Sequence, residues 1–229
     1  SADGREILGR LVATADFLVE SFPPGQMDSL GLGYSDLSQI NPRLIMTSIT
    51  PFGQTGPYAR WKGPDIVPWA MGGYMWMSGE PERAPLRISH PPQAYLHASA
   101  MAAVGSLMAL GYRAATGEGQ HVDLSAQQCP TWMLTHTYAY WDLMKVNLKR
   151  AGVMRHFGQV HLKTVWPCKD GHISFMFSGG LIGAKGQRRI VELMDQEGMA
   201  EDWLKEMKWE EADAFSATQE EIDRISEAF

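Results

Sequence analysis

Apolar residues fall into three arrangements along the chain, and each predicts a different element. Ile7, Leu8, Leu11 and Val12 in "SADGREILGRLVATA" recur at helical spacing, with Ser1 or Asp3 as the N-cap. "DFLVESF" and "PRLIMTSI" are short continuous apolar runs, the pattern of strands buried on both faces. Between them "PPGQMDSLGLGYSDLSQI" reads as turns with short helices. Tyr95 to Thr116 is a third kind, a helix apolar nearly all round and rich in Ala, long enough to be tested as a membrane span. His97, Ser99, Ser106 and Arg113 within it, and its small residues, favour a buried core helix instead. Strands alternating with helices imply a parallel sheet of the α/β class.

Past Thr116, "GEGQHVDLSAQQ" gives a Gly-rich turn, a short strand "HVDLS" and an N-cap at Ser125 for one long helix through "CPTWMLTHTYAYWDLMK". From Arg155 the texture changes. "RHFGQVHLKTVWPCKDGHISFMF" reads as two strands joined by a turn at Lys169–Gly171, followed by helical segments rich in Glu, Lys and Trp. This places a large domain over 1–150 and a smaller α+β domain over 151–229. The first helix begins on its own cap, and the last pattern (Phe215, Ile222, Ile225, Phe229) stops without a terminator, so the sequence reads as a fragment lacking a strand before Ser1.

Charge narrows the partners. The chain has 229 residues, 45% hydrophobic and 20% charged, with a net charge of −6, which argues against a nucleic-acid surface. No membrane anchor is expected, and Cys129 and Cys168 alone make no disulfide framework, so a reducing cytoplasm is the expected compartment. Each Cys reads as a small buried hydrophobe. There is no P-loop, nucleophile elbow, zinc-protease helix or paired C-x-x-C, and "GLGYSDL" is too faint a dinucleotide fingerprint to carry a nicotinamide oxidoreductase. Of seven histidines only His156 and His161 approach metal-ligand spacing; with no carboxylate or Cys close by, no metal site is expected.

Three loops could carry recognition. "VESFPPG" takes a strand end into a proline-fixed turn at the sheet's carboxyl edge. "ITPFGQTGPYARWKGPD" does the same after the second strand, and Arg60 and Lys62 add the positive charge a phosphate-bearing ligand requires. "RHFGQ" is a Gly-containing loop with a cation. A polar cluster, His90, Gln93, Tyr95 and His97, stands where "ISHPPQAYLHASA" feeds the apolar helix, yet it holds no carboxylate, Lys or Cys.

Taken in order, "ADFLVESFPPGQMDSLGLGYSDLSQINPRLIMTSITPFGQTGPYA", "ATGEGQHVDLSAQQ" and "WPCKDGHISFMF" resemble the class III CoA-transferases, the group of formyl-CoA transferase and carnitine CoA-transferase. The resemblance implies a Rossmann-like large domain, a smaller second domain and an interlocked dimer, a homodimer or a heterodimer with a homologous chain. It implies acyl-CoA and a carboxylic acid as substrates, with no permanently bound cofactor. In the family a carboxylate nucleophile attacks the acyl-CoA, giving a mixed anhydride and then an enzyme thioester. Carried over by position, Ser21, Phe22 and Pro23 line the CoA pocket, Arg60 and Lys62 lie near the loop that meets the nucleotide or pantetheine, and Gly158 and Gln159 belong to the loop over the acyl site. Ser21 and Pro23 depart from the family's usual Asn and Arg.

The largest departure lies in "RISHPPQAYLHASAMAAVGS". The family Asp position falls on Gln93 or Ala94, and neither an amide nor a methyl group can form the anhydride. His97 is the residue left to consider for chemistry by another route. Asp65 is the nearest preceding aspartate but matches a different family position. Pro64 stands where 2-methylacyl-CoA racemases of this fold carry an acid/base His, which disfavours that reaction. The expectation is a CoA-transferase homologue, read as the subunit that lacks the nucleophile, with a catalytically inactive CoA-thioester-binding or scaffold protein as the alternative. Trp69, Trp76 and Trp132 hint at a bulky or apolar acid, although aromatic side chains more often fill core.

Overall fold

The computed structural model describes residues 1–87, 92–157, 160–212 and 217–229. His90, Gly158, Gln159 and Phe215 of the sequence reading lie outside these. The chain divides into two compact units: residues 1–78 with 85–149, and residues 79–84 with 150–229.

In the first unit, helix α1 (Ala2–Val12) starts where Ser1 Oγ accepts the Gly4 N–H, so Ser1 rather than Asp3 is the cap. Strand β1 (Phe17–Glu20) follows, then short helices α2 (Gln26–Ser29) and α3 (Tyr34–Ile40), then strand β2 (Ile45–Thr50). Helices α4 (Ile66–Met71) and α5 (Tyr74–Met77) precede the 24-residue α6 (Gln93–Thr116), and strand β3 (His121–Ser125) completes a parallel sheet in the order β1-β2-β3. The register runs Leu18 beside Met46 beside His121. Alternation along β2 sends Met46 and Ser48 to one face and Thr47 and Ile49 to the other. Met46 joins Val12, Leu32, Leu37 and Leu44 in a core beneath α1 and α3. On the opposite face Ile49 and Leu124 pack with Ala98 of α6.

That arrangement corrects the expectation of a helix buried all round. The sheet covers one stripe of α6, Ala94, Ala98, Ala102, Ser106, Ala109 and Arg113. Leu107 and Met108 on the other side are 63% and 72% exposed. Small residues let the buried stripe approach closely: a Cβ added at Gly105 would lie 2.9 Å from a Val122 methyl. Among the described residues α6 alone is long and apolar enough to cross a membrane, but its buried stripe is committed to the sheet.

The expected long helix after β3 is broken. Ser125 ends the strand instead of capping a helix, and α7 (Gln128–Met133) and α8 (Thr135–Ala139) are separated at Leu134 before a π-helical turn at Tyr140–Met144. The carbonyls at the break are taken by other donors: Leu134 N–H tightens onto Thr131 O at 3.0 Å and Tyr138 Oη donates to the same oxygen at 3.2 Å. The ladder cannot continue past an acceptor already used twice.

In the second unit the stretch expected to form two strands forms four, in two antiparallel hairpins. Strands β4 (Met154–Phe157) and β5 (Val160–Lys163) make one, and β6 (Val165–Cys168) and β7 (Gly171–Ser174) make the other, turning at Lys169–Asp170 as the sequence signalled. Helices α9 (Gly180–Gln196), α10 (Asp202–Glu206) and α11 (Gln219–Ala228) follow. Their core is Trp166, Phe177, Val191, Leu204, Trp209 and Ile225. Thr218 and Glu221 form a reciprocal capping box that starts α11. The 79–84 segment joins this unit through Arg150, whose Nε donates to the carbonyls of Glu80 and Arg83 at 3.1 Å each.

Candidate functional site at the carboxyl edge of the sheet

The three parallel strands end at Glu20, Thr50 and Ser125, and the loops after them define the edge where open α/β sheets hold ligands. After β1 the chain turns through Pro23, Pro24 and Gly25; Gly25 has φ 83°, a conformation that favours glycine, and it opens α2. The turn is tied down by its own strand, since the Phe22 N–H donates to a Glu20 carboxylate oxygen at 2.6 Å. After β2, Gly53 N–H donates to Thr50 Oγ1 at 2.9 Å, and Gln54 N–H to both oxygens of Asp123 at 3.1 and 2.9 Å. The second loop is therefore anchored both on its own strand, through Thr50, and on β3, through Asp123.

Between these loops lies a cleft of about 470 Å³ bounded by Pro24, Asp28, Tyr34, Gln54, Arg60 and His121. An adjoining smaller pocket shares several of these residues and adds Glu20, Pro23 and Ser48. His121 Nε2 and Ser48 Oγ are 2.9 Å apart, and the Tyr34 ring stacks on His121 with centroids 5.3 Å apart and planes 16° from parallel. Burial, and secondarily the negative charge of Glu118, push the Tyr34 hydroxyl pKa up, so it stays a neutral donor or acceptor. Arg60 is the one cation bounding the cleft among the described residues.

Helix α6 runs antiparallel to the strands. Arg113, near its last turn, reaches Asp16 and the Arg43 carbonyl, which precede β1 and β2, whereas Tyr95 and Ala98 pack on the carboxyl-end residues Ile49 and Leu124. Its N-terminus therefore opens at the carboxyl edge, where its unpaired backbone N–H groups favour negative charge. Pro92 is the N-cap residue and supplies no side-chain bond. The cap comes from 30 residues away: an Asp65 carboxylate oxygen accepts the Tyr95 N–H at 3.1 Å, while Tyr95 Oη donates to Gly63 O at 2.8 Å. Tyr95 thus clamps the 63–65 loop onto the helix start. Burial raises the Tyr95 pKa, with the Asp65 charge adding to it.

The sequence-derived residues take up different positions around this edge. Pro23 and Arg60 line the two adjoining pockets. Ser21, Phe22 and Lys62 are exposed and line neither, with Phe22 48% exposed. Gln93 opens α6 and Ala94, next to it, is 0% exposed. His97, one turn on, stacks on the buried Trp69 with centroids 5.9 Å apart. Trp69 is a core residue, while Trp76 and Trp132 are 54% and 66% exposed. Cys129 is buried as expected, but Cys168 at the β6–β7 turn is exposed. Sequence reasoning missed Ser48, Tyr34 and His121. The available signal was polar Thr47, Ser48 and Thr50 inside an otherwise buried strand, where each must find a partner.

A parallel α/β unit with an open carboxyl edge and a second unit of hairpins and helices is the class of protein these features define. Within that class the chain belongs to CoA-transferase family III, whose pattern matches residues 1–229. Subunit BbsE of succinyl-CoA:(R)-benzylsuccinate CoA-transferase from Thauera aromatica is 39% identical over 214 residues, 90% of this chain and 49% of that protein. The alpha and beta subunits of succinyl-CoA–L-malate CoA-transferase from Chloroflexus aurantiacus are 37% and 38% identical over 122 and 121 residues, in each case 53% of this chain, and 28% and 30% of their own lengths. The crystal structure of a CAIB/BAIF family protein from Brucella suis superposes with a TM-score of 0.72 at 30% identity, covering 99% of this chain and 56% of that one. The chain spans about half the length of the curated relatives that it matches over most of its own length.

Proposed function

We propose that the chain acts in CoA transfer between carboxylic acids as the subunit that holds acyl-CoA but does not supply the carboxylate nucleophile. The observation that carries this is the start of α6. At the position the family resemblance gives to the nucleophilic Asp, the chain has Gln93 or Ala94, and Ala94 is completely buried. The carboxylate that does reach this helix end, Asp65, is held as the cap of the Tyr95 N–H. Covalent catalysis then requires an Asp from a homologous partner chain. Relatives named as subunits of two CoA-transferases support a heteromeric arrangement.

CoA is read as lying along the carboxyl edge, with Arg60 as the phosphate-side cation and the Pro23–Gly25 turn against the pantetheine. Neither acid is specified by these residues. The test is to incubate the purified chain with a succinyl thioester of CoA and measure its intact mass. The expected outcome is an unmodified chain that still takes up CoA by calorimetry. A covalent succinyl or CoA adduct on this chain alone would overturn the proposal, and uptake of CoA without transfer in the presence of any Asp-bearing homologue would favour the inactive binding protein instead.

A further inference from the structure

The β4–β5 hairpin holds a feature that the CoA reading does not use. His156 and His161 are directly opposite in the antiparallel register, and their rings meet with centroids 4.2 Å apart at 61°. We propose that this pair is a binding site for one borderline divalent cation, Zn²⁺ or Ni²⁺, ligated by one nitrogen from each imidazole. No metal site was expected here, because spacing along the chain offered two histidines without a third ligand. The fold supplies what spacing could not: it brings both rings to the same face of one hairpin.

Imidazole nitrogens suit cations of this class, with metal–nitrogen distances of about 2.1 Å. Two such bonds at a tetrahedral centre put the nitrogens roughly 3.4 Å apart, a separation of the same order as the 4.2 Å between the two ring centroids. The backbone beneath is held: Gln219 Oε1 accepts the His161 N–H at 2.8 Å and Gln219 Nε2 donates to the His161 carbonyl at 3.2 Å. Positive side chains nearby are committed elsewhere. The Lys163 ammonium lies 4.5 Å from the Trp166 ring centroid, and an Arg155 guanidinium nitrogen lies 3.9 Å from the Met176 sulfur. Among the described residues no cluster of three His, Cys, Asp or Glu side chains forms, so the cation's other positions fall to water or to a small anionic ligand. A two-stranded hairpin with four-residue strands is marginal on its own, and a cation bridging its two strands would staple it.

The experiment is calorimetric titration of the whole chain with zinc or nickel chloride at neutral pH, with the imidazole nitrogens followed by NMR. The expected result is one saturable site that perturbs both His156 and His161, loses at least about tenfold in affinity in His161→Gln, and is unchanged in His172→Ala. Bound cation should also raise the melting temperature in the parent chain and not in His161→Gln, whose fold is checked by circular dichroism. Absence of saturable binding, perturbation of only one of the two rings, or binding that survives both His156→Gln and His161→Gln would overturn the site.

Discussion

The two ends of α6 are fastened by different means. At the amino edge of the sheet, Arg113 is 6% exposed and spends its guanidinium on Asp16 Oδ1 at 2.8 Å, the Arg43 carbonyl at 2.9 Å and the Asp16 carbonyl at 3.4 Å. One buried cation locks the helix to the starts of two strands. At the carboxyl edge the fastening is a backbone N–H and a phenol gripping the 63–65 loop, through Asp65 and Gly63. The first device serves the fold. The second leaves a helix N-terminus at the carboxyl edge of the sheet, so the two fastenings stand at opposite ends of a single helix.

The largest expected effect comes from placing a carboxylate at the buried carboxyl-edge position. Ala94→Asp puts a charge at a site 0% exposed and close in sequence to the Tyr95 N–H that Asp65 already occupies. Taken out of water at this buried position, the new group should cost about 3 kcal/mol, measured as a drop in urea midpoint at unchanged slope. A variant as stable as the parent would mean that this end has room for an ionised nucleophile, and the contrast between the two ends would fail.

Second in size is the amino-edge lock. Arg113→Met keeps the bulk and apolar stem but removes the donors to Asp16 and to the Arg43 carbonyl. Asp16 is largely exposed at 72%, so it rehydrates, and the expected loss is about 2 kcal/mol rather than that of a buried pair. For a chain of this size that is a fall in Tm of roughly 4–8 °C. The CoA uptake proposed at the carboxyl edge should be unaffected, and a large loss of CoA affinity in this variant would show that the two ends are coupled.

How much of this was legible depended on whether an element's partner could be read from the element itself. "DFLVESF" and "PRLIMTSI" both read as strands buried on two faces, and both strands are present in a parallel sheet with "HVDLS", but only the second is buried so: β1 lies at the sheet edge with Phe17 and Val19 exposed. The break at Leu134 was hidden, because it arises from a tyrosine hydroxyl reaching back seven residues to a helical carbonyl. The outer face of α6 looked buried since an apolar stripe is identical in sequence whether or not something packs on it. That positions 93 and 94 carry no carboxylate was legible from the residues themselves. Capture of Asp65 by Tyr95 was not, because a contact across 30 residues leaves no periodic trace.

The smallest effect tests the carboxyl-edge clamp and carries a pH signature of its own. Tyr95→Phe removes the hydrogen bond to Gly63 O and should cost about 1 kcal/mol near neutral pH. In the folded chain the Tyr95 pKa is raised above 10.0, first by burial and then by the Asp65 charge. The unfolded chain therefore gives up this proton at lower pH than the folded chain does. The stabilisation contributed by Tyr95 is complete below the unfolded pKa and is lost as pH rises through the folded one. Parent and variant should differ in urea midpoint by a constant amount while pH stays below the unfolded tyrosine pKa, and should converge as pH rises from there through the folded one. Tyr34 titrates upward-shifted in both proteins and cancels in the difference. A gap that stays constant across that range would mean that Tyr95 is not held in its neutral form by the fold, and that Asp65 caps the helix without the phenol's help.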